Sequence, residues 1–193
     1  MKRSKTERMI ITAILAGMAY LLIQFEFPLI MAFPFLKVDF SDIPILISTF
    51  ILGPIPGVMT AFVRSLLNFI MNGAGPANLI GNTASFLATT AYLLPVYYMV
   101  KKQNDNKHLV SGLTLGSIAM TLVMVAANYF VMLPFYLKVV GLDLGMPISK
   151  IVMVGVIPFN IMKVILVSVV FFVVYKNLIP SLQNKTMMIH PSK

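Results

Sequence analysis

Apolar runs close to or above 18 residues recur along the whole chain, and nothing else in it constrains the fold so tightly. The clearest is GVIPFNIMKVILVSVVFFVVYK, residues 155–176. A helix of about 20 such residues crosses the hydrocarbon core of a bilayer, so the sequence predicts an all-α integral membrane protein. Only 11% of its 193 residues are charged, against about 25% in a soluble domain. No polar stretch is long enough for a second domain, and a single membrane domain over 1–193 is expected.

Charge placement predicts the topology. Lys2, Arg3, Lys5, Arg8, Lys101, Lys102, Lys107, Lys176, Lys185 and Lys193 stand in three short hydrophilic segments against only Glu7 and Asp105. Cytoplasmic flanks collect Lys and Arg in this way, so both termini and the loop near 101–108 are expected inside. The other segments hold Lys37, Lys138 and Lys150 against Glu26, Asp39, Asp42 and Asp143, as on an outer side. The net charge of +9 is therefore read as membrane orientation and not as nucleic-acid binding. The basic, then apolar, N-terminus resembles a signal peptide without a convincing cleavage site and is read as a retained first helix.

Six helices are predicted, at about 9–25, 43–52, 58–72, 79–100, 109–137 and 150–175. Residues 26–44, with Pro28, Pro34 and Pro44, should form a long irregular extracellular loop. Its Phe content suggests that it packs back over the bundle. Helix 43–52 is short for a straight crossing, so it and 58–72, joined through GPIPG at 53–57, also fit a membrane-dipping hairpin. Pro134 is expected to distort the outer end of the fifth helix.

The chain has no cysteine, which excludes disulfides, thiolate metal sites and Cys nucleophiles. His108 and His190 are far apart, no metal-ligand cluster is visible, and a Walker A loop is missing. The sequence therefore predicts no enzyme, no metal and no resident cofactor.

Polar residues inside the spans are then the candidates for function. At about 1.5 Å per residue, Lys163 lies about 18 Å and Asn160 about 13 Å from the outer start of the sixth helix. Three residues apart, they share a face. Asn128 lies about 28 Å from the inner start of the fifth helix, and Asn78 and Asn82 share a face at the outer start of the fourth. Five polar groups at matching depth suit a neutral ligand carrying hydroxyl and carbonyl groups. Interhelical hydrogen bonding is the alternative for each Asn. Lys163 has no carboxylate within the spans to pair with on this reading. Arg64, about 9 Å from the inner start of the third helix, is expected to snorkel to the interface. In the first helix, Ala13 and Gly17 with Ala16 form a small-residue strip open to another helix.

FLKVDFSDIPILI after the first helix, the small-residue strip within it, and NIMK in the sixth resemble the substrate-binding S components of energy-coupling factor vitamin transporters, most closely the riboflavin-specific ones. The resemblance implies a six-helix bundle with cytoplasmic termini, a lid after the first helix and a vitamin site near the outer face. It implies that Asn128, Asn160 and Lys163 hydrogen-bond riboflavin, that Lys37 and Asp39 contribute from the lid, and that Asn78 and Asn82 add wall contacts. Flavin mononucleotide is a second candidate ligand. It also implies partners: a transmembrane coupling subunit that docks on Ala13, Ala16 and Gly17, and two ATPase subunits. Gly17 departs from the family's alanine at that position. An S component for another vitamin, or an ion-coupled carrier, remains an alternative on the residues alone.

Overall fold

The first helix begins where Ser4 caps it, its hydroxyl accepting the Glu7 N–H at 3.1 Å. Helix α1 therefore covers Lys5–Ile23, starting one turn ahead of the apolar run, in the computed structural model, which describes residues 4–102, 105–141 and 145–189. Lys2, Arg3, Asp143, His190 and Lys193, named above, lie outside the described residues. Helix α1 buries Leu15, Ala16, Ala19 and Ile23 and turns Met9, Ile10, Ile14, Met18 and Leu21 outward. A helix in water would not present such a face.

Helices α2 (Asp42–Leu52) and α3 (Pro54–Met71) form a tight hairpin. Gly53, at φ 104°, makes the turn that an L side chain resists, and Pro54 opens α3 at its first position. Within GPIPG only Gly53 is outside a helix. Gly57 allows the two helices to close, since a Cβ there would collide with the Thr49 side chain. Helix α2 has 11 residues, about 16 Å at the usual rise, and nearly all of its side chains are buried. It is a central element wrapped by its neighbours.

Helix α4 (Pro76–Lys102) packs most extensively against α5, where Gly112 and Gly116 admit the Val96 and Tyr92 backbone. Helix α5 is capped by Asp105, whose carboxylate accepts the His108 N–H at 2.7 Å, and this bond holds the Asp105 carboxyl below its ordinary pKa. It runs as Asn106–Ala127, then through a π turn, Asn128–Met132, a short α segment, Leu133–Phe135, and a second π turn, Tyr136–Val140. Helix α6 likewise starts as Ile148–Ile151, passes a π turn, Val152–Val156, and continues as Ile157–Ile189. Pro134 and Pro158 each follow a π turn. In a regular helix a proline ring collides with the carbonyl four residues back, and the wider turn gives it room.

The segment between α1 and α2 is irregular except for a two-residue ribbon, β1 (Phe27–Pro28) antiparallel to β2 (Lys37–Val38). Phe33, Leu36 and Val38 are buried in a cluster with Leu133, Ile151, Val156 and Phe159, so the loop folds back over the ends of α5 and α6. Gly155 lets Phe33 settle, its missing Cβ falling 2.9 Å from the ring. The main core lies below, around Ile45, Leu46, Tyr92, Leu93, Val96 and Phe171. Among the described residues, five helices are long and apolar enough to cross a membrane, and α2 is a shorter sixth.

Candidate ligand-binding site

Under the folded-back loop lies a cavity of about 300 Å³. Lys37, Asp39, Asn78, Asn82, Asn128, Asn160 and Lys163 all line it. Its apolar wall comes from Phe35, Tyr136 and Phe159 with Met120, Met124 and Met132. Phe35, from the loop, rests on Tyr136 with ring centroids 5.7 Å apart.

The two deepest amides are set by π turns. Asn128 opens the first π turn of α5, and Asn160 follows the one in α6. They are 5% and 2% exposed, and each donates Nδ2 at 2.8 Å to a carbonyl four residues back, Met124 O and Val156 O. A carbonyl only accepts, so the amide nitrogen must face it, and each Oδ1 is left to serve the cavity as an acceptor. Lys163, 5% exposed, supplies donors from the same wall.

Lys163 is not the lone buried cation that the sequence suggests. Its Nζ lies 3.7 Å from Asp42 Oδ2, and Asp42 is itself 3% exposed. Helix α2 begins at Asp42 inside the bundle, which takes the carboxylate away from the outer surface where charge counting puts it. The helix N-terminus also favours a negative group there.

The expected snorkelling of Arg64 is likewise corrected. The residue is 0% exposed. Its Nη1 donates to Ser41 Oγ at 3.0 Å and Ser85 Oγ at 2.8 Å, and Nη2 donates to Thr89 Oγ1 at 3.2 Å. Depth along a helix does not report which way a side chain faces. Ser85 and Thr89, four apart on α4, supply acceptors that make burial of this cation tolerable.

The remaining candidates sit nearer the mouth. Lys37 Nζ pairs with Glu26 Oε1 at 2.6 Å, and buried Asp39 accepts the Ser41 N–H at 2.7 Å. Asn78 donates to Asn72 O and Gly73 O at 2.6 Å, closing the turn between α3 and α4. Asn82 donates to Asn78 O and accepts from Asn68 Nδ2 at 2.9 Å. Both thus carry structural bonds while facing the cavity.

On α1, Ala13 is exposed, and a Cβ at Gly17 would meet nothing within 4 Å. Ala16 is 0% exposed and packs inside with Ala19. The outward strip is therefore Ala13 and Gly17 alone. Ala16 belongs to the adjoining, inward face of the helix.

Glu26, Asn68 and Ser85 also line the cavity, and Asp42 and Arg64 stand behind it. Sorting polar groups by depth passes over them. A usable signal was present on α3 and α4, where Arg64, Asn68 and Asn72, and Ser85 and Thr89, recur at four-residue spacing.

A helical membrane bundle with a polar cavity roofed by the loop after its first helix defines a class of ligand-capturing membrane proteins. The family model for the substrate-specific component of ECF transporters matches residues 7–175, and the chain belongs to that family of multi-pass membrane proteins. It is similar to riboflavin transporter RibU of Staphylococcus aureus, at 37% identity over 90% of this chain and 91% of that protein. It is also similar to riboflavin transporter FmnP of Bacillus subtilis, at 33% identity over 94% of this chain and 96% of that one. A solved S component of a bacterial ECF transporter superposes with a TM-score of 0.79 and 36% identity, covering 93% of this chain and 99% of that one.

Proposed function

We propose that the cavity binds riboflavin and that this chain captures the vitamin outside the cell for ATP-driven uptake. The observation that carries the reading is the convergence of buried Asn128, Asn160 and Lys163 on one cavity beneath a Phe-bearing loop. The flavin ring is flat and largely apolar, and its pyrimidine edge alternates carbonyl acceptors with an N–H donor. One amide oxygen can accept that N–H, the Lys163 ammonium can donate to a flanking carbonyl, and the second amide oxygen can accept from a ligand hydroxyl, while Phe35, Tyr136 and Phe159 match the ring. The names of the relatives support the same ligand.

In this reading both termini are cytoplasmic and the loop over the cavity is an extracellular lid, in keeping with the charge asymmetry. The whole chain acts as one membrane domain. Energy comes from partners: a transmembrane coupling subunit that meets α1, and two ATPase subunits that hydrolyse the nucleotide. Riboflavin is the transported ligand and no cofactor takes part. Asp42 beside Lys163 makes the deep wall close to neutral, and Lys37 is already paired to Glu26, which favours an uncharged ligand over flavin mononucleotide.

Titrating the purified apo protein in detergent with riboflavin should give saturable, equimolar quenching of flavin fluorescence, with weaker competition from flavin mononucleotide. No quenching would remove the assignment. Asn160→Leu should weaken binding up to about tenfold, the effect of one neutral hydrogen bond of about 0.5–1.5 kcal/mol. Unchanged affinity in that variant would place the amide outside the site.

A further inference from the structure

A closed path of polar contacts runs behind the cavity wall and returns to it. Lys163 faces Asp42 Oδ2 at 3.7 Å, and the other carboxylate oxygen accepts the Thr89 hydroxyl proton. Thr89 Oγ1 accepts from Arg64 Nη2, and Arg64 Nη1 donates to Ser85 Oγ, which again lines the cavity. Helices α6, α2, α4 and α3 are all joined by it. Asp42, Thr89 and Arg64 are at most 3% exposed, so this is an interior network held in one geometry.

Its effect on the cavity follows from donor and acceptor capacity. A lysine ammonium sits on a flexible stem with several rotatable bonds, and fixing it costs rotamer freedom. A carboxylate already held by the Thr89 hydroxyl, and favoured electrostatically at the N-terminus of α2, supplies the fixed point. At the other end, Ser85 accepts from Arg64, which leaves its own hydroxyl proton free to be given elsewhere.

We propose that Asp42 is the positioning residue of the binding site: it holds the Lys163 ammonium as a donor at the cavity wall and cancels its charge. The proposal rests on the cavity being the riboflavin site. Asp42 touches no ligand in this scheme and acts only through Lys163.

A double-mutant cycle tests it, with riboflavin quenching read on wild type, Asp42→Asn, Asp42→Glu, Lys163→Met and Asp42→Asn/Lys163→Met, and the thermal midpoint of each apo protein read alongside. Asp42→Asn should lose about tenfold in affinity, and Asp42→Glu should recover most of that loss. In the Lys163→Met background, Asp42→Asn should cost nothing further. A loss of equal size in both backgrounds, or none in wild type, overturns the proposal, because a merely structural role does not depend on Lys163. Should Asp42→Asn fail to fold, recovery of the fold in the double variant supports the pairing and failure to recover it overturns the pairing. A wild-type chain that does not bind riboflavin overturns the ligand assignment itself, a result separate from additivity in a chain that binds.

Discussion

Replacing Lys163 with Met should raise the riboflavin dissociation constant by about 10- to 100-fold, as fluorescence titration would record. The magnitude follows from the loss of a hydrogen bond with a charged donor, about 1.5–3 kcal/mol, at about 1.4 kcal/mol per decade of affinity. Methionine keeps the length and apolar character of the stem, so the packing of α6 around buried Val164 and Val167 should survive. The substitution has a second effect that the sequence did not suggest. It leaves Asp42 buried without its ammonium partner, and removing one member of a buried pair costs about 3–5 kcal/mol when nothing else compensates. Thr89 and the N-terminus of α2 do compensate in part. The expected protein is therefore folded, melts earlier than wild type, and binds poorly. An unchanged dissociation constant would take Lys163 out of the site, whatever happens to the melting temperature.

The contrast between Lys163 and its partner shows what could be read from the residues in order. Asn160 and Lys163 stand out because they interrupt a long apolar run at helical spacing, and Asn128 does the same one helix earlier. Each is visible by itself. Asp42 and Lys163 are 121 positions apart (163 minus 42), and no local pattern joins them. Asp42 also precedes an apolar stretch at the end of a hydrophilic one, where charge counting assigns it to the surface. Arg64 was misplaced for a related reason: rise per residue fixes its depth, while the hydroxyls that draw it inward belong to a neighbouring helix and to the loop. The helix ends were shifted by caps, Ser4 on α1 and Asp105 on α5, which extend helices beyond their apolar periodicity. A two-residue ribbon such as Phe27–Pro28 with Lys37–Val38 is too short for any alternation to betray it. The π turns were foreshadowed only as a distortion at Pro134.

Gly17→Leu should abolish riboflavin uptake while leaving riboflavin binding by the purified chain intact. Neither the backbone nor the bundle requires Gly17. It is absent from the glycines with positive φ, so the backbone does not require it. A Cβ there would meet nothing within 4 Å, so the bundle does not require it either. In a helix interior glycine costs about 1 kcal/mol relative to alanine, and Leu is a strong helix former, so the variant should melt no earlier than wild type. What Gly17 supplies, with Ala13 four residues away, is a flat outward strip on which another helix can lie close. A leucine side chain would fill that strip and, on the proposed docking, hold the coupling subunit off. Uptake measured in vesicles containing the whole transporter should then fall to background, against unchanged flavin quenching in detergent. Ala16→Leu is the control for geometry: its side chain is 0% exposed and points into the bundle, so that variant should lose stability and binding together. Normal uptake by Gly17→Leu would mean that the coupling subunit approaches by another face.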